Sequence, residues 1–308
     1  MIGYNTGNGH PYSYSAIFNG YDPDALARLC PYELIKEYLP REHGNRVFID
    51  SAKVTHIWTD DRSMSENIAR VSLIPNIVAK KEDLIGQVDA VILARDDPWN
   101  HLEIAKPFLR QRVPLFIDKQ LAATVEDVQE LLSLAGPSYP LMAGSAMRFT
   151  RDLARARREI VPSSVRSVHG MSRVSWMRYG HHLMEGISVL FGLDIDFVRS
   201  LSSRNEHDIV QLQYRSGLSI ILEFVPEMNL PIQFTCFSEG FDAYTVPFED
   251  FFFGFREMLK AFVRLVETGE RAFSRSEMVS IAEIILAGEM SKRAGGEAMP
   301  PKVLESIL

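Results

Sequence analysis

The chain has 308 residues, long enough for two cores, and its 46% hydrophobic and 24% charged residues are the balance of a globular protein, neither disordered nor fibrous. A formal net charge of −7 excludes a general binder of nucleic acid or of anionic membranes, which would need a basic excess. Cys30 and Cys236 are the only cysteines, so there is no disulfide framework and no paired-cysteine zinc spacing, and a reducing compartment is expected.

Met1-Ile2-Gly3 leaves no room for a charged leader, and no apolar run reaches the ~18 to 20 residues of a membrane helix. A cytoplasmic protein without membrane contacts is the expectation. Met1 to Tyr4 reads as a short first strand. It runs into Gly7-Asn8-Gly9-His10-Pro11-Tyr12, where Gly7 and Gly9 supply the first half of a Gly-x-Gly-x-x-Gly turn. Such a turn bends tightly and lets a pyrophosphate approach the backbone; Tyr12 stands in place of the third glycine. Pro11 suits the first turn of a helix whose N-terminus would attract phosphate. A glycine-rich turn with no ligand is the other reading.

A helix is expected to end at Gly20, and Asp22 is expected to cap a second one before Pro23. Helical pieces then continue to about Gly44. Residues 21–45 thus read as an insertion, because a dinucleotide fold would normally reach its second strand sooner. Lys53 to Thr59 alternates like a strand and ends in Asp60-Asp61-Arg62. A carboxylate there would bond the adenosine ribose hydroxyls and repel a 2′-phosphate, which favours NAD(H). Arg62 keeps NADP(H) open, and one of the two aspartates can serve only to cap the following helix.

Ala90 to Ala94 is a buried strand that leaves through Arg95-Asp96-Asp97 towards His101. A helix over 102–110 leads to a second buried strand, Val113 to Ile117, which exits through Asp118-Lys119-Gln120. Strand, helix, strand in this order implies a right-handed parallel crossover, so the first half reads as a doubly wound sheet. Ligands bind outside the carboxyl ends of such strands, which makes Lys119 a candidate active-site group as well as an ordinary loop lysine.

Beyond Thr124 the texture changes. Arg148, Arg151, Arg155 and Arg158 recur at helical spacing, either as an anion clamp or as a solvated face. Val165 to Trp176 is strand-like, and Arg178 to Gly192 is a helix on which His182 and Glu185 lie three apart. His182 is a candidate general base, or a polar group bonded to a loop. No metal site is indicated, since His181 and His182 do not share a helix face. Phe197 to about Val246 repeats short strands. Two amphipathic helices close the chain, the second with Met278, Ile281, Ile285 and Met290 facing inward.

Taken in this order, the glycine turn, Asp60, the Ala94 to His101 segment, Asp118-Lys119 and the His182 helix resemble the glucose-fructose oxidoreductase, inositol dehydrogenase and rhizopine-catabolism (Gfo/Idh/MocA) family. The family's Ala-Thr-Pro-x-x-x-His segment matches Ala94 and His101, with Arg95-Asp96-Asp97 in the middle. Its Glu-Lys-Pro matches Asp118-Lys119-Gln120. Its Asp-x-Gly-x-His-x-x-Asp helix matches Arg178, Gly180, His182 and Glu185, and its Arg-Phe/Tyr matches Arg148-Phe149.

The resemblance implies an α/β protein: an N-terminal Rossmann domain, residues 1–122, and a C-terminal α+β domain, residues 123–308, with an open, mostly antiparallel sheet. It implies a nicotinamide-dependent oxidoreductase of a sugar, nucleotide-sugar or polyol, assembled as a homodimer or homotetramer. Gly7 to Tyr12, Asp60, Arg62, Ala94, Arg95, Asp96, His101, Asp118 and Lys119 would hold the cofactor. Lys119, His182 and Glu185 would be catalytic, and Arg148, Arg178 and His181 would face the substrate. Arg178 in place of the family aspartate inverts a charge beside His182, which suits an anionic substrate group. A non-catalytic cofactor-binding protein of the same fold, and a redox-assisted elimination or epimerisation, are the alternatives.

Overall fold

The computed structural model describes residues 1–43, 49–202, 207–226, 228–240 and 242–304, and it divides into two compact units. The first comprises Met1–Leu121, Glu130–Ala143 and Phe255–Ala272; the second comprises Ala122–Gln129, Gly144–Gly254 and Phe273–Leu308. The chain therefore passes between the units several times, where the sequence suggested one boundary at 122/123.

In the first unit the strands are short: β1 (His56–Ile57), β2 (Asn76–Ile77), β3 (Val91–Leu93), β4 (Leu115–Asp118) and β5 (Leu141–Gly144). The expected first strand is reduced to Ile2, which bridges in parallel to Trp58 on one side and Leu93 on the other. The ladder thus runs β2, β1, Ile2, β3, β4, β5. Chain order reverses beside Ile2, and this switch point is where an open α/β sheet binds ligands. Apolar runs at 91–93 and 115–117 explain the buried strands: Leu93, Leu115, Phe116 and Ile117 are fully buried, each side chain contributing about 1.5–3 kcal/mol.

The helices α1 (His10–Asn19), α2 (Pro23–Leu29), α3 (Glu33–His43), α4 (Arg62–Val71), α5 (His101–Arg110) and α6 (Val125–Ala135) follow the sequence signals. Asp22 caps α2 by accepting from Ala25 N–H at 2.9 Å. Asp61 caps α4 by accepting from Ser63 N–H at 2.8 Å, which leaves Asp60 for another role. Helices α2 and α3 occupy the stretch 21–45 that the sequence suggests as an insertion; its end at Gly44 and residue 45 lies outside the described residues.

The second unit holds α7 (Arg151–Glu159), β6 (Val165–Arg173), α8 (Trp176–Phe191), β7 (Ile195–Ser200), β8 (Asp208–Tyr214), β9 (Ser219–Val225), β10 (Gln233–Ser238) and β11 (Ala243–Pro247), then α9 (Phe251–Thr268) and α10 (Arg275–Arg293). From Phe255, α9 belongs to the first unit. The sheet order is β11-β10-β6-β9-β8-β7, antiparallel except for β6 with β9. Alternation buries Val210, Leu212, Leu222 and Phe224 on one face, where α8 and α10 pack.

Two local expectations are corrected. The strand at 165 does not continue to Trp176. Val174 turns it at φ 72°, and Trp176 opens α8 with its N–H donating to Asp208 Oδ2 at 2.9 Å. Met290 is 37% exposed and so does not face the core. No helix among the described residues is long and apolar enough to cross a membrane.

Candidate functional site

At the switch point of the first unit, polar side chains from three strand exits converge. Lys119 leaves β4 in the left-handed region, φ 69°, and is almost fully buried. A non-glycine residue there is uncommon, and this conformation sets the Lys119 ammonium against the carboxylate that precedes it. Lys119 Nζ donates to Asp118 Oδ2 at 2.8 Å and lies 3.8 Å from Asp96 Oδ2. His10 Nδ1 stands 2.6 Å from the same Asp118 oxygen, Tyr14 Oη donates to Asp118 Oδ1 at 3.2 Å, and Asn8 Nδ2 reaches Oδ2 at 3.4 Å. Asn5 and Asp96 bond reciprocally, through Asn5 Nδ2 at 2.6 Å and Asp96 N–H at 3.1 Å.

The charges follow from this geometry. Burial resists ionisation of Asp118, but His10 and Lys119 outweigh it and hold the carboxyl well below its usual range. Burial lowers His10 from its ordinary 6.5 in spite of Asp118, so the ring is neutral at pH 7. A neutral His10 must donate Nδ1–H to Asp118, which leaves Nε2 with the lone pair and makes the 3.4 Å approach of Lys119 Nζ to Nδ1 a contact between donors. The ring is steadied by stacking on Tyr14 at 4.6 Å and edge-on contact with Phe255 at 5.0 Å.

His101 does different work from the other expected cofactor residues. It is fully buried, its Nδ1–H donates to Gln120 O at 2.8 Å, and so it ties the Asp118-Lys119-Gln120 exit to α5. Arg62 pairs with Glu66 at 3.1 Å on the surface of α4. Ala94 is buried, and its carbonyl accepts from Asn8 Nδ2 at 3.4 Å. Tyr12 is buried among α2 and α4, its hydroxyl donating to Leu29 O at 3.4 Å. That placement replaces the close helix–strand packing a third glycine would give.

A dinucleotide would need two anchors here, and the residue types suit it. Gly7 has φ 89°, Gly9 caps α1 with no side-chain bond, and the first turn of α1 carries no acid. Asp60 follows β1 with its side chain 61% exposed. Both anchors are met by the chain itself. A Cβ on Gly9 would fall 2.7 Å from the Tyr32 ring and 2.5 Å from Ile35, and Asp60 Oδ2 accepts from Arg95 Nη1. Among the described residues no cluster of His, Cys, Asp and Glu could hold a metal.

The second unit has its own buried array. Ser145, just beyond β5, lies with Oγ 2.5 Å from His182 Nδ1, while Tyr179 and Phe248 flank the imidazole. Ser145 N–H donates to Glu185 Oε1 at 3.3 Å. Glu185 also accepts from Arg148 Nε, and Arg148 Nη2 donates to Glu277 Oε1 at 2.7 Å and to Ser188 Oγ at 3.1 Å. His181 Nε2 approaches Glu185 Oε1 at 3.5 Å. Burial opposes ionisation of Glu185, but Arg148 and His181 prevail and its pKa is lowered. Arg148 sits on a 3-10 turn, Ala146–Phe149, apart from the helix that carries Arg151, Arg155 and Arg158. Arg178 is half-buried in the first turn of α8.

Two glycines of this unit have no room for a side chain. At Gly144, φ 157°, a Cβ would fall 2.5 Å from Glu185 Oε1; at Gly180 it would fall 2.6 Å from the Trp176 ring. Asn5, Tyr14 and Ser145 were absent from the sequence expectations. Only Tyr14 left a signal, being one helical turn beyond His10.

This two-part fold is shared with solved dehydrogenase structures. More particularly, it is the fold typical of the Gfo/Idh/MocA family. Myo-inositol dehydrogenase from Lactobacillus casei, solved with NAD(H) and myo-inositol, is 13% identical at a TM-score of 0.68, covering 85% of this chain and 92% of that one. Myo-inositol 2-dehydrogenase from Lactobacillus plantarum is 13% identical at 0.68, covering 82% and 92%. GenD2 from gentamicin A biosynthesis, solved with NAD, is 13% identical at 0.68, covering 82% and 89%. No family model matches the sequence, and no curated protein does.

Proposed function

We propose that this chain is a nicotinamide-dependent oxidoreductase that interconverts a hydroxyl and a carbonyl on a polyol-like or sugar-like substrate. The observation that carries this reading is Lys119, held in a left-handed turn at the exit of β4 against Asp118, His10 and Asp96. An ammonium fixed by a carboxylate can hold a substrate oxygen and stabilise the negative charge that develops on it. When bound, the nicotinamide supplies the hydride chemistry. Asp60 favours NAD(H), and NADP(H) is the alternative that Arg62 keeps open.

The first unit is the cofactor unit in this reading, and the second binds substrate. His182 is the proton-handling group there. With Nδ1–H donating to Ser145 Oγ, Nε2 carries the ring lone pair that takes the alcohol proton. Glu185 fixes the Ser145 backbone and Arg148, so it acts on His182 through the turn that carries Ser145. Arg178 and His181 are assigned to the substrate side, Arg178 to any anionic group it carries. Assembly as a homodimer or homotetramer and a cytoplasmic location are part of the same proposal.

The self-occupied anchors favour a second reading, a cofactor-binding protein of this fold without turnover. Absorbance at the reduced-nicotinamide band, followed with a panel of inositols, sugars and nucleotide-sugars, separates the two. Turnover by the wild type that disappears in Lys119→Ala, with the cofactor-induced melting shift retained, is the expected result. Equal turnover in that variant removes Lys119 from the mechanism. Cofactor binding with no absorbance change on any substrate moves the second reading ahead, and tight retention without net reduction would indicate internal redox in an epimerisation or elimination.

A further inference from the structure

The two anchor points of the dinucleotide groove are both filled by the chain, and each occupant is itself braced. Arg95 grips Asp97 with two prongs, Nε to Oδ1 at 2.8 Å and Nη2 to Oδ2 at 2.6 Å. Asn100 Nδ2 donates to the same Asp97 oxygen at 2.7 Å. The third prong, Nη1, takes Asp60 Oδ2. The guanidinium is therefore a fixture of the β3 exit and not a floating surface cation; its side chain is 7% exposed beside an Asp60 side chain that is 61% exposed. A ribose diol would bond both carboxylate oxygens, and Arg95 already takes Oδ2 of the pair.

At the other anchor, the position left open by the missing Gly9 side chain is covered by the Tyr32 ring and Ile35 from the α2–α3 insertion. Tyr32 is held edge-on to Tyr4 at 6.5 Å and to Tyr12 at 6.2 Å. Tyr12 is the residue that stands where a third glycine would be. The insertion and the departure from the glycine pattern thus meet at one contact.

We propose that Arg95 and Tyr32 are built-in occupants of the dinucleotide groove, which hold the ribose and pyrophosphate anchors until a dinucleotide displaces them. The inference rests on the cofactor reading above and adds to it a reason for the insertion and for Arg95. Both residues lower dinucleotide affinity, because the ligand must break their contacts before it makes its own. Arg95 also makes the ribose end selective: removing it frees Asp60 Oδ2 and leaves the carboxylate charge uncompensated, which accepts a diol and repels a 2′-phosphate.

The test is direct titration of the full chain with NADH and NADPH by ligand fluorescence, with ligand-free melting as the folding control. Arg95→Gln should tighten NADH binding by roughly fivefold, the factor set by a partly exposed ion pair, and should leave NADPH no tighter. Arg95→Lys, which keeps a charge without the fork, should fall between. Tyr32→Ala should tighten both ligands, and the double variant should combine the two gains. Looser or unchanged NADH binding in Arg95→Gln overturns the proposal for Arg95, and a selective loss of NADPH would make Arg95 a phosphate receptor instead. No binding in wild type or any variant overturns it entirely. Tightened binding without turnover on any substrate leaves this inference standing and removes the oxidoreductase reading.

Discussion

Asp118 is the hinge of the first cluster because it is ionised where burial alone would neutralise it. It fixes the His10 tautomer, holds the Lys119 ammonium and accepts from Tyr14, so three functional groups share one carboxylate. In the second unit Glu185 plays the corresponding part for Arg148, His181 and Ser145. Arg148→Ala would leave Glu185 buried without its cation and should destabilise the protein by about 3–5 kcal/mol, whereas the double change Arg148→Met, Glu185→Leu should cost much less. Urea unfolding of both variants checks this, and a single-variant loss below about 1 kcal/mol would show that water or another cation replaces Arg148. Lys119 was legible from its place after an apolar run. Asp96 and Asp118 were legible beside it through the family motifs, but their contacts with Asn5 and Tyr14 were not, because these groups meet only when three strand exits, distant in sequence, are brought side by side.

The elements that carry these residues are governed by their ends. Thr150 caps α7 by accepting from Leu153 N–H at 3.3 Å and donates to Met147 O at 3.0 Å, so it joins the 3-10 turn beyond Ser145 to the helix that follows. Thr150→Val keeps the shape and loses both bonds, and should cost about 1–2 kcal/mol. A melting midpoint unchanged from wild type would mean that the cap is supplied elsewhere. Caps of this local kind were readable in advance at Asp22 and at the Asp60-Asp61 pair. The start of α8 was not, since its first N–H is satisfied by Asp208 from a strand more than thirty positions later. Strand length misled in the same way: residues 53–59 alternate like a full strand, yet the ladder with Asn76–Ile77 holds only His56 and Ile57, and Trp58 adds a single bridge to Ile2.

Across the whole molecule, the buried histidines and the paired carboxylates Asp118 and Glu185 all favour loss of stability on acidification. Burial lowers His10 and His101 below their ordinary 6.5, so the unfolded chain takes up protons first as the medium is acidified. The histidine contribution should therefore be full well above 6.5 and be lost as pH drops below it, and the buried Met1 amino group, lowered from 8.0 to about 5, adds a loss of the same sign that begins below pH 8. A second loss follows below the ordinary carboxyl values of 3.8 and 4.5, as Asp118 and Glu185, both lowered in the fold, are forced to protonate. Scanning calorimetry from pH 8 to pH 5 tests the first limb, and a midpoint that rose on acidification would contradict it. The fold class was legible at this scale because the parallel crossover and the later run of strands leave different patterns. The division into units was less so, since Glu130–Ala143 and Phe255–Ala272 join the first unit from far along the chain.

The unequal strand lengths of the two sheets have a consequence for how the molecule breathes. In the first unit β1 and β2 are matched at only two positions and Ile2 is held by one bridge on each side, whereas β8 and β9 are matched at six and β6 and β9 at seven. A short ladder opens by breaking few bonds, so its amides should trade hydrogen for deuterium through local opening, while a long one waits for near-global unfolding. The amide of Val78, which donates to Ile57 O, should exchange well before those of Leu212 and Leu222. The half that carries the glycine turn and Asp60 is then the half that can loosen while the six-stranded sheet stays closed, which supplies the freedom a self-filled groove needs in order to empty.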